Sequence, residues 1–175
     1  MNEAAFQALM DKQAITEALW RYSRAVDRHD IALLRQLYRP GATDDHGAYA
    51  GAAGFCDFMD QAMAPGSPFK QTHHMISNIL IDLAGDRAQV ESYYQSYHRM
   101  EDDSGAYDET VGGRYVDLFE RRQGEWRILH RRCIYDWSRR EPGTERFWER
   151  WPGAFLRGTR DRSDPVFEPA EMPAR

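Results

Sequence analysis

The chain has 175 residues, a formal net charge of -5 and a sequence pI near 5.7, a balance that offers no electrostatic attraction to nucleic acid or an anionic membrane. Hydrophobic residues make up 42% and aromatics 13%, enough for a core and a cavity lining, which excludes a wholly disordered chain. Met1–Met10 has no basic region followed by an apolar stretch, and no run approaches the roughly 18 apolar residues that span a bilayer, so a cytoplasmic protein is expected.

From Glu3 to Tyr38 the apolar residues recur at helical spacing. Ile15, Leu19, Tyr22 and Val26 form one stripe and Leu33, Leu34, Leu37 and Tyr38 another, which predicts two helices. Their turn falls at Asp27–Asp30, with Asp30 as N-cap of the second. Arg39-Pro40-Gly41 is read as the stop of that helix, and residues 42–50 as a short hairpin. A third helix is predicted over Gly51–Ala64, carrying Phe55, Phe58, Met59 and Met63 on one side.

Four strand-like runs follow, Thr72–Leu83, Ala88–Met100, Glu109–Arg121 and Trp126–Trp137, with turn signals at Ala84-Gly85-Asp86, Glu101–Gly105 and Arg122-Gln123-Gly124. Short connections predict antiparallel neighbours. Gly112-Gly113 inside the third run suggests a close approach or a bulge. Helices first and a meander second give an α+β domain whose sheet curls over helices and leaves a cavity. Alternation places Val90, Ser92, Tyr94, Ser96 and His98 on one face, and Val111, Gly113 and Tyr115 on one face of the next strand, both assigned inward. That lining suits a hydrophobic substrate bearing one or two oxygens. After Trp137 the chain turns to arginine, proline and glycine with Phe147, Trp148, Trp151 and Phe155, which reads as an aromatic flap or subunit contact, then a disordered tail from Asp164.

Cys56 and Cys133 have no metal-ligand spacing, so free thiols are expected. Asp44-Asp45-His46 and His73-His74 put adjacent side chains on opposite strand faces, so no catalytic metal is expected. Phosphate loops, serine elbows and Cys–His motifs are absent, and no nucleotide cofactor is expected.

Arg24-Ala-Val-Asp27, His74-Met-Ile-Ser-Asn78, Gly85-Asp86-Arg87-Ala88 and Gly124-Glu-Trp-Arg-Ile-Leu-His-Arg131 together resemble the SnoaL-like branch of the nuclear-transport-factor-2-like (NTF2-like) superfamily, over about residues 8–138. The resemblance implies a cone-shaped α+β fold, three N-terminal helices packed on a curved, mostly antiparallel sheet, with residues 1–138 as the domain and 139–175 as an extension. Related folds form dimers or trimers, which implies a homodimer or homotrimer.

Within that branch the chain is similar to the cofactor-independent lyases that use an Asp–His pair, such as scytalone dehydratase, bile-acid 7α-dehydratase and hexachlorocyclohexane dehydrochlorinase. Asp27 stands at the family aspartate, and His74, four residues before Asn78, at the family histidine; His73 does not fit. Arg131, five residues after Trp126, completes the constellation, and Tyr22 precedes Asp27 by five, where dehydratase-like members place a tyrosine. The implied chemistry is elimination without a cofactor: His74 as base, Asp27 supporting it, Arg131 and Tyr22 assisting the leaving group. Tyr94, Ser96, His98, Tyr115, Asn78, Phe55 and Met59 are the candidate substrate contacts. Two other readings stay open: a ketosteroid-isomerase-like isomerase or cyclase using a lone carboxylate, and a non-catalytic hydrophobic ligand-binding or assembly module.

Overall fold

A computed structural model of the chain describes residues 2–47, 49, 51–62, 64, 66–143, 150, 151 and 153–168. The predicted Met63, Phe147 and Trp148 positions lie outside these residues.

Three helices precede and interleave with five strands: α1 (Glu3–Asp27), α2 (Ile31–Gln36), β1 (Tyr38–Asp45), α3 (Gly51–Ala62), β2 (Phe69–Ala84), β3 (Arg87–Asp102), β4 (Gly105–Arg122) and β5 (Glu125–Pro142). The sheet order is β1-β5-β4-β3-β2, antiparallel from β2 to β5, with β1 added parallel to β5. α1 begins on Asn2, whose side chain accepts from Ala5 N–H (2.8 Å), and buries Ile15, Leu19, Tyr22 and Val26, the stripe the spacing predicts. Asp30 caps α2 by accepting from Leu33 N–H (3.1 Å). Phe55, Cys56 and Met59 are the buried face of α3. Between helices and sheet the core gathers Leu34, Tyr38, Val90, Phe119 and Ile128.

The four-strand meander is as the sequence predicts, with each strand longer than its prediction by three to six residues in all. The segment before it differs. α2 ends at Gln36, and Tyr38-Arg39-Pro40-Gly41 belong to β1, so Arg39-Pro40-Gly41 does not stop the helix and residues 42–50 are not a hairpin. β1 sits at the sheet edge, where Pro40 deprives no ladder of a donor. Its partner is about ninety residues away in sequence, and no local turn signal announces a parallel pairing.

Two irregularities decide which way side chains point. In β2 the pairing with β3 slips between Ser77 and Leu80, where Asn78 takes a positive φ of 50°. Before the slip Thr72, His74 and Ile76 turn inward; after it Ile79, Ile81 and Leu83 do. In β5 the pairing slips between its Phe119 and Leu118 partners, so buried Trp126 and Ile128 are followed by buried Arg131. A third slip at Gly112-Gly113 coincides with crowding: a Cβ on Gly113 would collide with the Ile134 carbonyl and the Tyr94 ring, which is why glycine stands there.

β5 runs through residue 138 to Pro142, still paired with Tyr107–Thr110 of β4. Residues 159–168 of the extension fold back on the α1–α2 turn. Asp164 is buried, accepts from Thr159 N–H (2.8 Å) and lies 3.2 Å from Arg28 Nε, while Arg162 reaches Asp30 (3.3 Å). Pro165–Phe167 form a single 3-10 turn with Phe167 under the guanidinium of Arg24. Trp151 and Phe155 are half exposed and do not line the central cavity. Among the described residues no helix is long and apolar enough to cross a membrane.

Candidate active site

Asp27 is the last residue of α1, and β2 passes beside that helix end. The His74 backbone N–H donates to Asp27 Oδ2 (2.9 Å), and His74 Nδ1 donates to Asp27 Oδ1 (2.7 Å). An ionised carboxylate only accepts, so the proton of a neutral His74 sits on Nδ1 and Nε2 keeps its lone pair. Burial works to raise the Asp27 carboxyl, but the hydrogen bonds from the His74 ring and backbone outweigh it and hold it below the ordinary aspartate range. His73, one residue earlier, is exposed on the opposite face.

His74 opens into a cavity of about 230 Å³ between α1, α3 and the concave face of the sheet. Tyr22, Val26, Phe55, Phe58 and Met59 close it on the helical side; Tyr94, Ser96, His98, Val111 and Tyr115 close it on the sheet side; His46, Tyr49 and Tyr135 complete it. Ser96 is the β3 partner of His74, and His98 follows on the same face with its ring 5.5 Å from that of His74. Burial, reinforced by a charged His74, depresses His98 to about 4, which favours its neutral form. Tyr94 and Tyr115 stack at 4.5 Å, and Tyr22 meets Tyr115 edge-on at 5.7 Å. Burial pushes the Tyr22, Tyr94 and Tyr115 phenols above their ordinary range, leaving hydroxyls that donate and accept without ionising.

Nine of the eleven residues singled out from the sequence are therefore brought together: Asp27, His74, Tyr22, Tyr94, Ser96, His98, Tyr115, Phe55 and Met59. Arg131 and Asn78 are not. Arg131 has no exposed surface. It forms a two-point ion pair with Asp117 on β4 (Nε to Oδ1 2.8 Å, Nη2 to Oδ2 2.7 Å) and lies between the Tyr22 and Tyr115 rings, 4.1 and 4.0 Å from their centroids. The aromatic rings that line the cavity thus separate this guanidinium from it, and its first role is to brace them. Asn78 is exposed, because the bulge carries its side chain out of the alternation that sets His74 inward.

His46 and Tyr49 were missed by the sequence reading, along with Tyr135. His46 follows β1, stacks on Phe55 (4.5 Å) and has Nδ1 3.1 Å from Asp44 Oδ1. The signal available was the Asp44-x-His46 spacing, legible only if residues 38–45 are recognised as a strand that His46 directly follows. Burial opposes charge on His46, yet hydrogen bonding to Asp44 and to Cys133 raises it to about 9. Both cysteines are free thiols, Cys133 donating to the Tyr94 hydroxyl (3.4 Å). Among the described residues no three His, Cys, Asp or Glu side chains converge to hold a metal ion.

The fold is like that of an NTF2-like superfamily protein of known structure. Residues 7–132 match the model of the SnoaL-like domain, and the chain belongs to that family. No curated protein matches the chain. Among solved structures it is similar to a protein provisionally assigned as a scytalone dehydratase from Novosphingobium aromaticivorans DSM 12444 (20% identity, 81% of this chain and 98% of that one, TM-score 0.69). It is also similar to the hexachlorocyclohexane dehydrochlorinase LinA-type3 from Novosphingobium barchaimii LL02 (16%, 81% and 97%, TM-score 0.69). A third is an NTF2-like superfamily protein from Salmonella enterica subsp. enterica serovar Typhimurium str. LT2 (22%, 74% and 94%, TM-score 0.63). At such identities the likeness concerns the fold.

Proposed function

We propose that this protein is a cofactor-independent lyase that eliminates water or a small fragment from a hydrophobic, hydroxylated ring compound, with His74 as base. The observation that carries the reading is the two-point bond between Asp27 and His74 at the cavity wall, which leaves the Nε2 lone pair for the substrate. Asp27 fixes the tautomer and stabilises the imidazolium formed when the proton arrives. His98 and Ser96 lie beside His74 and can bond a departing hydroxyl. An apolar cavity of about 150 Å³ holds benzene, so 230 Å³ suits one substituted ring or a small fused pair better than a steroid skeleton. A lone-carboxylate isomerase fits less well, because both Asp27 oxygens are engaged by His74.

The test is incubation of the purified protein with hydroxylated one- and two-ring ketones and phenols, followed by product mass. Loss of water in the wild type, reduced about 10²–10⁴-fold in His74→Gln, is expected. An isomeric product of unchanged mass would replace this reading with isomerisation, and ligand retention without turnover would replace it with binding.

A further inference from the structure

The cavity has a second Asp–His pair. β1 and β2 are the two outer strands of the sheet, and His46 after β1 and His74 on β2 both line one cavity. Beneath His46 runs a row of charges. Asp44 of β1 is in register with Arg131 of β5, which is in register with Asp117 of β4. Asp44, Arg131 and Asp117 all have buried side chains. That row holds two carboxylates and one guanidinium, and the hydrogen bonds of Arg131 go to Asp117. Asp44 keeps the Tyr38 hydroxyl (2.6 Å) on one oxygen and His46 Nδ1 (3.1 Å) on the other. A buried carboxylate requires a cationic partner, and His46 is the group placed to supply it.

We propose that Asp44–His46 is a second dyad, whose imidazolium binds the carbonyl oxygen of the substrate in the cavity that His74 lines. The substrate class follows: a ring ketone whose hydroxyl sits on the carbon beta to the carbonyl, packed against Phe55, Tyr94 and Tyr115. The chemistry rests on the reading of His74 as base. His74 removes a C–H proton alpha to the carbonyl, and the electron pair moves into the carbonyl to give an enolate whose oxygen His46 stabilises. The enolate re-forms the carbonyl as the C–O bond to the departing hydroxyl breaks, and the proton held on His74 leaves with it as water. The groups facing His46 are Asp44 from its own segment, Cys133 from β5, Tyr115 from β4 and Phe55 from α3, with Asp117 and Arg131 beyond. Hydrogen bonding to Asp44 and Cys133 raises its proton affinity, and the substrate oxygen takes the thiol's place on the ring N–H not bonded to Asp44.

The probe is para-nitrophenol, whose ionised form has its own absorption band, titrated into the full chain and into His46→Gln, Asp44→Asn and His74→Gln, with ¹⁵N resonances of the histidines followed from about pH 6 to 9. Expected are bound phenolate in the wild type, an affinity at least about tenfold weaker in His46→Gln and Asp44→Asn, and a smaller loss in His74→Gln, which lines the same cavity. An imidazolium at His46 at neutral pH is also expected. Wild type that fails to favour the phenolate, Asp44→Asn that binds it as well as wild type, or a neutral His46 at pH 7 would each overturn the inference. Turnover that depends on His74 alongside any of these results would leave the lyase reading standing, whereas phenolate binding without turnover would remove only the lyase reading.

Discussion

Asp27 and His74 share two hydrogen bonds at one point of the structure, and each makes a separate prediction. Asp27→Asn keeps the shape and loses the charge that orients the ring, so activity is expected to fall on the order of 10²–10⁴-fold with the far-UV spectrum unchanged. The folded-state pKa of Asp27 lies below its unfolded value, so its stabilisation is present above about pH 4 and is lost as pH falls through the folded value. The acid limb of a plot of thermal midpoint against pH should therefore be shallower in Asp27→Asn. His46 has the opposite sign. Its folded pKa is raised to about 9, so its contribution is complete below about pH 6.5 and lost as pH rises through 9. His46→Gln should flatten the alkaline limb, and an unchanged limb would show that His46 is not held charged.

At the scale of elements, three slips in strand pairing set the site. Trp126 and Arg131 are an odd number of residues apart and would face opposite ways in a regular strand; the slip in β5 puts both inside. Gly113 lets Tyr94 lie against β4, and Tyr94 carries the aromatic stack of the cavity. Gly113→Ala should cost about 1–3 kcal/mol by chemical denaturation and weaken aromatic ligand binding as the stack moves. Arg131 ties β5 to β4 beneath the same rings, and Arg131→Met leaves Asp117 buried without its partner. A loss of about 3–5 kcal/mol is expected, with Asp117→Leu in the Arg131→Met background recovering much of it.

Across the whole molecule, the extension is anchored by Asp164 to the turn that holds Asp27. Asp164→Ala removes the hydrogen bonds to Thr159 and Val166 and the contact with Arg28. Limited proteolysis should then cut within residues 150–168 sooner than in wild type, while the thermal midpoint drops by about 2–4 °C for a loss near 1 kcal/mol. Equal cleavage rates would show that the anchor contributes nothing.

The sequence by itself determined the helical stripe of α1, the cap at Asp30, the four-strand meander and the inward rows of β3 and β4. Those are read from neighbours a few residues apart, through hydrogen-bonding periodicity and turn chemistry. Asp27 and His74 were legible from their resemblance to a family pattern, and the structure brings them within bonding distance. Tertiary structure alone decided the rest. β1 exists because β5 offers a parallel edge about ninety residues away, and only with β1 in place is Asp44 turned inward with His46 just past the strand end. Arg131 is inward as the resemblance implies, although regular alternation from Trp126 would turn it out, and it lies behind the cavity wall, paired with Asp117. Asn78, placed by the resemblance, shows the complementary limit, since one bulged residue turns its side chain away from the face that carries His74.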